Sequence, residues 1–493
     1  MRNEYRPTPA EAAELAKQEG IRRIPIATEL FGDVRTPIET LRILQKKSDH
    51  CYILESMEDS ATWGRYTILG YDPLLEFSCK DGRIRIVSRG KVTEKAGDPR
   101  VCLREIIQSV RSPRLPDMPP FTGGLVGYFA YDYIKYSEPK LKLQAADPED
   151  FRDADLMLFD RVIAFDRLKQ KIILVANADA QNLDLSYTQA VKELEQMREL
   201  ILNGTPLEYQ PAVMKTPFRA AFSKDQYCAM VNEAKRHITE GDIFQVVLSN
   251  GLEAQVDGSI FDIYRVLRTT NPSPYMFYFS GCDVEIAGAS PETLVKVQGR
   301  TVKTFPLAGT RPRGKDKTED ARLETELLTD PKELAEHNML VDLGRNDLGK
   351  IAAFGTVKVV KYHVIEKFSY VMHIGSEVQA TMAPGKDALD ALSGVLPAGT
   401  LSGAPKFRAC QLIDSLENSR RGLYGGAIGY LSADGDLDTC IAIRIAFKKN
   451  GKVFVRSGAG IVADSVPEKE YQECLNKAKA VLQATELADG GLE

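Results

Sequence analysis

Residues 424–462, "YGGAIGYLSADGDLDTCIAIRIAFKKNGKVFVRSGAGIV", constrain the fold more than any other stretch. Short apolar runs alternate with Gly/Asp turns, which predicts consecutive strands with no helix between them. Similar runs recur upstream: "RIRIV" at 83–87, "RVIAFD" at 161–166, "KIILVAN" at 171–177, then "MFYFSG", "VEIAGA" and "TLVKVQ" between 276 and 298. Strands that come in blocks, without regular alternation with helices, predict an α+β chain with mainly antiparallel sheets, not a doubly wound fold.

Helical segments punctuate these blocks. A polar helix over roughly 184–203 ends at Gly204. The next stretch, "TPLEYQPAVMKTPFRAAFS", reads as an extended linker, with a boundary near 205–222 that separates an N-terminal region (1–210) from a C-terminal one (222–486). Ser223 and Gln226 form a capping box. Tyr227, Met230, Val231, Ala234 and Ile238 then share one helix face, and Gly241 ends it. A last helix is expected over about 467–486.

Composition excludes several functions. With 493 residues, 43% of them apolar, the chain can build a sizeable core. A net charge of −5, mixed along the chain, argues against a general nucleic-acid binder. No apolar h-region opens the chain and no run of about 18 apolar residues occurs, so neither a signal peptide nor a membrane span is expected. Eight scattered cysteines without C-x-x-C predict a reducing, cytoplasmic setting. Five histidines without H-E-x-x-H argue against a zinc hydrolase.

The acidic residues of two helices are more informative. In "TDPKELAEH", Asp330 can cap the helix, Pro331 sits at its first position and Glu333 at its third, an arrangement that needs no function. Glu336, one turn on, lies on the same side and is not explained by capping. In "SVPEKEYQECLNKAKAVL", Glu470 and Glu473 repeat the spacing. They could form an exposed acidic face, with Glu473 paired to Lys477 four residues on. Brought together, the two Glu-x-x-Glu pairs would crowd carboxylates that repel without a cation. Oxygen-only ligands suit Mg²⁺ shared with an anionic substrate.

Two further elements could hold an anion. "PAGTLSGAPKFRACQLID" (397–414) is a Gly-rich turn feeding a helix, without the spacing of a Walker A loop. "SGAG" (457–460) reads as a Gly-rich turn just after a strand. Arg444, in "AIRIAF", is expected inside an apolar strand, where it needs a carboxylate, either a ligand's or a structural partner's.

"ELAEHNMLVDLGRNDLGKI", "GTLSGAPK", "DLDTCIAIR", "GAGIV" and "SVPEKEYQECLNKAKAVL" together resemble the chorismate-utilising enzymes. "YILESMED" and "NPSPYMFY" narrow the resemblance to anthranilate synthase component I, over about residues 21–486. The resemblance implies two face-to-face β-sheets, helices outside and a central active-site cleft. It implies amination of chorismate by ammonia at ring C2 with loss of the C4 hydroxyl, then elimination of pyruvate to give anthranilate. Mg²⁺ would be held by Glu336 and Glu473, with Glu333 and Glu470 acting through water. Arg444 and Tyr424 would hold the enolpyruvyl carboxylate with the backbone of Gly458, Ala459 and Gly460. Gly309, Thr310 and Thr400 would line the pocket, Glu292 would be the general acid, and His373 would serve pyruvate elimination. Related aminodeoxychorismate synthases often carry a nucleophilic lysine where this chain has Ala308, and isochorismate synthases a lysine base where it has Gln245. Leu54, Glu55, Ser56, Pro274, Tyr275 and Met276 match the family's tryptophan feedback pocket. With no glutaminase nucleophile motif in the chain, the resemblance implies a separate glutamine amidotransferase subunit, in a heterodimer or heterotetramer.

Overall fold

The computed structural model describes residues 4–56, 64–368 and 371–492. Positions 57–59 of "YILESMED" and 369–370 ahead of His373 lie outside the described residues.

Two large sheets dominate the structure, of 13 and 12 strands, and their ladders are antiparallel, as the blocks of strands predict. The first runs from Arg23–Phe31 at one edge, through Cys51–Glu55, Tyr275–Ser280, Glu285–Ser290 and Ile445–Lys449, to Lys452–Ile461 and Gln245–Asp257. The second runs from Leu307–Pro312, through Val371–Thr381, Thr293–Gln298, Leu437–Ile441, Ala427–Ser432 and Gly124–Phe129, to Lys91–Ala96. Successive side chains of a strand face opposite ways. Tyr52 therefore points into the space between the sheets while Cys51 and Ile53 face the outer helices. Tyr52, Phe277, Phe279 and Phe447 of one sheet meet Tyr128, Met157, Phe159 and Ile428 of the other. Outside the first sheet lie helices Leu183–Asn203, Phe261–Thr270 and Pro467–Ala488. Outside the second lie Pro99–Ser109, Pro331–Gly349 and Ala388–Val395. Central strands buried on both faces read as near-continuous apolar runs, which is why "CYIL" and "YMFYF" show little alternation.

The stretch 205–222 is not a free linker. Val213–Met214 and Arg219–Ala220 pair with the outer strand Gln245–Asp257, whose unpaired backbone groups need partners. The chain on either side of it shares both sheets: Cys51–Glu55 pairs with Tyr275–Ser280, and Gly124–Phe129 with Ala427–Ser432. The helix after it spans Lys224–Thr239 and carries the expected capping box of Ser223 and Gln226.

Two short crossovers in the C-terminal half carry the chain from the first sheet to the second and back. Pro291 and Glu292 join Glu285–Ser290 to Thr293–Gln298. Residues 442–444 join Leu437–Ile441 to Ile445–Lys449. The two crossovers are tied together: the Ile441 N–H donates to Glu292 O (2.9 Å), the Ala289 N–H to Arg444 O (3.2 Å), and Ser290 Oγ to Ile441 O (2.7 Å).

Beneath them lies a fully buried ion pair. Arg421 Nε donates to Glu417 Oε2 (2.9 Å), and its other nitrogens reach Leu401 O and Val247 O, each at 2.7 Å. Glu417 Oε1 accepts from Ser249 N (2.7 Å) and Ser249 Oγ (2.9 Å). The pair thus fixes helix Lys406–Glu417 and the 399–401 turn to the strand Gln245–Asp257. Removing one partner strands a buried charge. We predict that Glu417→Ala costs about 3–5 kcal/mol, read as a lowered urea midpoint. An unchanged midpoint would show that the pair is not a structural anchor.

Candidate active site

Glu292 sits at the first crossover and is 8% exposed. Its carboxyl accepts one hydrogen bond, from Thr400 Oγ1 at 3.1 Å. Burial pushes its pKa up to about 8, against the lowering effects of Thr400, Lys477 and Arg444. At neutral pH it is a proton-bearing acid.

Arg444 lies at the second crossover. The expectation that it sits inside a strand is corrected: it stands between two strands with φ of 52°, because the chain must turn there to change sheets. No carboxylate lies within ion-pair distance of its guanidinium among the described residues. Burial lowers its pKa, partly offset by Glu292. A half-buried guanidinium without a counter-ion is an open anion site.

His373 is on Val371–Thr381, paired across to the strand that holds Gly309 and Thr310. Its Nδ1 is 2.8 Å from Gly309 O and 3.2 Å from Thr310 Oγ1. A carbonyl only accepts, so Nδ1 carries the proton and Nε2 presents a lone pair. Burial lowers the ring's pKa, the hydrogen bond to Gly309 O opposes this, and the charges of Arg444 and Lys477 add to the lowering, which favours the neutral ring.

The segment 457–460 is not a turn. It belongs to the strand Lys452–Ile461, with Gly458 paired to Ser249 and Gly460 to Val247. The glycines are there for close approach. A Cβ on Gly458 would stand 2.6 Å from Leu248 O and 3.0 Å from the Tyr424 hydroxyl, and one on Gly460 2.5 Å from Gln245 Nε2. Among the described residues, no strand pairs with its second edge beyond Val455, so backbone groups there are left for other partners. The Ala459 side chain points away, into the helix-packed core, so only its backbone can serve a ligand.

Asp330 caps helix Pro331–Gly349 through the Lys332 and Glu333 N–H groups. The Glu333 carboxylate pairs with Arg311 (3.3 Å) and approaches Gly309. Glu336 has no hydrogen-bond or ion-pair partner among the described residues. Its pKa is raised by burial, then by Glu333 and Glu473. That of Glu470 is raised by burial, with Glu473 adding to it. Glu473 forms the ion pair with Lys477 (2.7 Å) that its spacing allows. The four carboxylates do not converge on one point; among the described residues, three potential ligand atoms lie within 4.8 Å only at His237, Glu240 and Asp242. Mutual repulsion and an unpartnered, half-buried Glu336 nevertheless fit a divalent cation at Glu336 and Glu473, a donor set of oxygens alone.

Lys477 escaped the sequence reading beyond its pairing with Glu473. Its Nζ also donates to Gly458 O (3.2 Å), and its charge is felt at Glu292, His373, Glu336 and Glu470. Its position one turn after Glu473 was the available signal.

A separate cavity of about 400 Å³ opens between the sheets. Leu54, Glu55, Ser56, Pro274, Tyr275 and Met276 all border it. The Glu55 carboxylate turns to the outer side, held by Arg167 (2.9 Å), Arg268 and Tyr264, and Met276 likewise packs in the outer core. Tyr275 faces inward, its hydroxyl bonded to Thr293 (3.0 Å) and Asp438 (2.8 Å), with Lys296 on Asp438 (2.8 Å).

Comparison with known proteins is consistent across sequence and structure. Residues 49–483 match the family of chorismate binding enzymes. Anthranilate synthase component 1 of Acetivibrio thermocellus is 44% identical over 98% of this chain and 99% of its own. That of Thermus thermophilus is 44% identical over 95% and 99%. The crystal structure of anthranilate synthase component I from Streptococcus pneumoniae superposes with a TM-score of 0.74 at 38% identity, covering 92% of this chain and 98% of the other. The menaquinone-specific isochorismate synthase of Escherichia coli shares the fold, with a TM-score of 0.69 at 19% identity over 97% and 98% of the two chains. The paired sheets, the acid and guanidinium at their crossovers and this kinship over nearly the whole length lead to one conclusion: the chain belongs to the chorismate binding enzymes, in the anthranilate synthase component I family.

Proposed function

We propose that the protein converts chorismate and ammonia to anthranilate and pyruvate through aminodeoxyisochorismate, a lyase reaction that opens tryptophan biosynthesis. The observation that carries this reading is Glu292: a buried acid, still protonated near neutrality, beside an unpartnered Arg444. Arg444 and the Tyr424 hydroxyl, near Gly458, bind the enolpyruvyl carboxylate. Glu292 donates its proton to the C4 hydroxyl, which leaves as water while ammonia bonds to C2. Thr400 orients that acid. His373, fixed by the Gly309 carbonyl with Nε2 free, then takes the C2 proton as the C3–oxygen bond breaks and pyruvate departs. Loss of that proton makes the ring aromatic. Glu336 and Glu473, assisted through water by Glu333 and Glu470, would hold Mg²⁺, which supplies positive charge for the ring carboxylate. Ala308 offers no nucleophile to divert the reaction, and a neutral Gln245 suits ammonia, which attacks without prior deprotonation.

The names of the relatives, component 1, imply a second component. We assign it the glutaminase role and place the assembly in the cytoplasm. The cavity at Leu54 and Tyr275 is the proposed tryptophan site, and its volume, about 400 Å³, suits a ligand of that size.

Four measurements test this reading. With chorismate, ammonium and Mg²⁺, anthranilate fluorescence should appear, vanish with EDTA, and fall about a hundredfold or more in Glu336→Gln and Glu473→Gln; EDTA-resistant turnover would refute the metal assignment. Glu292→Gln should lower kcat by about 10²–10⁴-fold. Because the acid must be protonated, wild-type kcat/KM should fall as pH rises through about 8. The folded-state pKa of Glu292 is raised, so its contribution to stability is present at low pH and lost as pH rises toward about 8. The inactive Glu292→Gln variant should therefore be more thermostable than wild type at pH 8, with the gain shrinking toward pH 5. Leu54→Trp, which fills the cavity, should weaken tryptophan inhibition about tenfold or more while turnover persists; undiminished inhibition would place the inhibitor elsewhere.

A further inference from the structure

The two Glu-x-x-Glu pairs each have one carboxylate with a basic partner. Glu333 has Arg311 (3.3 Å) and Glu473 has Lys477 (2.7 Å). The partners differ in how they are themselves held. The Lys477 side chain is 52% exposed, and among the described residues its ammonium bonds Glu473 and the Gly458 carbonyl alone. The Arg311 side chain is 19% exposed and spreads its guanidinium over four acceptors. Nε donates to Glu326 Oε1 (3.0 Å), Nη2 to Asp330 Oδ2 (3.0 Å), and Nη1 to Thr310 O (3.0 Å) and Glu333 Oε1 (3.3 Å).

Those acceptors belong to three elements. Thr310 is on the strand Leu307–Pro312, Glu326 on the helix Lys317–Thr329, and Asp330 and Glu333 open the helix Pro331–Gly349. Asp330 is committed on its other oxygen as well, to the Lys332 and Glu333 N–H groups (3.0 and 3.3 Å). A planar fork on several fixed acceptors is preorganised, and it can turn away only by breaking several bonds together. Leu323, Leu327, Met372 and Ile374 pack into a small core that holds the same elements together. The second oxygen of Glu333 is confined too: a Cβ on Gly309 would stand 3.1 Å from Glu333 Oε2 and 2.9 Å from Leu327 Cδ1. Glu333 is thus fixed with one oxygen on Arg311 and the other against Gly309. Glu336, one turn on, has no such restraint among the described residues.

The number of carboxylates that can reach a cation decides which cation is preferred. Mg²⁺ is small, holds on to its waters and takes few carboxylates, whereas Ca²⁺ gathers more oxygens in a looser shell. Freeing Glu333 would add a carboxylate and a net negative charge to the site, and Ca²⁺ gains more from both.

We propose that Arg311 is a positioning residue that sets the metal preference of the site: by holding Glu333 it leaves Glu336 and Glu473 as the carboxylates that ligate, and so favours Mg²⁺ over Ca²⁺. This inference rests on the reading of Glu336 and Glu473 as cation ligands. Arg311 acts through Glu333 and touches neither the substrate nor the metal.

The test is calorimetric titration of the full-length protein, saturated with chorismate and free of ammonium, with Mg²⁺ and with Ca²⁺. In Arg311→Gln the affinity for Ca²⁺ relative to Mg²⁺ should rise about tenfold or more. Adding Glu333→Gln to that variant should cancel the rise, a coupling that mere loosening of the helix start would not produce. Should Arg311→Gln fail to fold, Arg311→Lys keeps the charge but offers one ammonium for four acceptors, and the ratio should rise there too. An unchanged ratio in the folded variant, or a rise that survives Glu333→Gln, would overturn the proposal while leaving the metal assignment standing. Absence of Mg²⁺ binding by the wild type would instead refute the metal assignment, and this inference with it.

Discussion

The site depends on two short crossovers that stitch the sheets together. A strand that changes sheets must break its ladder, and the break exposes side chains to the space between the layers. Here the breaks are adjacent, hydrogen-bonded to each other through Ile441, Glu292, Ala289 and Arg444. An acid and a guanidinium are thereby brought near each other, the acid bonded by Thr400 and the guanidinium without an ion-pair partner among the described residues. Arg444 even holds a left-handed backbone conformation to make the turn. Packing of the large inter-sheet aromatics and the Glu417–Arg421 anchor hold the strands on either side of the crossovers in place.

The electrostatic surroundings of these groups differ, and the differences sort the groups by task. Glu292 is kept neutral by desolvation, not by a neighbouring carboxylate. Glu336 is raised by desolvation and by like charges together. The first environment suits an acid that gives up a proton; the second suits a ligand waiting for a cation. Lys477 stands between them, paired to Glu473 yet within electrostatic reach of Glu292 and His373. Lys332 also acts on Glu336 and Glu470, but among the described residues it is Lys477 that pairs with Glu473.

Much of the architecture was legible in the sequence. Strand blocks, turn residues and the capping boxes of single helices are local signals, and the antiparallel α+β fold follows from them. What the residues alone did not disclose was where strands end. The runs "AIRIAF" and "SGAG" look respectively like continuous strand and turn, and each is the reverse: Arg444 interrupts a ladder, and 457–460 continue one. Apolar residues buried on both sides of a break leave no periodicity to mark it, and strand glycines chosen for close approach resemble turn glycines. The segment 205–222 misleads for a related reason, since edge pairing uses backbone groups and leaves little trace in side chains. The candidate site residues come one motif at a time; the meeting of Glu292 and Arg444 at the crossovers is a property of sheet order, which pairs residues distant in sequence.

The same crossovers offer a route by which an occupied Tyr275 cavity could be felt at the acid. Tyr275 pairs across the ladder with Ser290, two residues before Glu292, and its hydroxyl bonds Thr293, the residue just after it. Asp438, the hydroxyl's other partner, lies on the strand that runs directly into the second crossover. A ligand that shifts Tyr275 must therefore strain or release the strand ends that aim Glu292 and Arg444. Because neither of these groups has a strong local partner to hold it, small shifts of backbone translate directly into their orientation. On the proposed tryptophan site, the sparse partners of Glu292 and Arg444 would leave both open to control from the Tyr275 cavity, and a two-state arrangement of the crossovers would couple the sites in both directions.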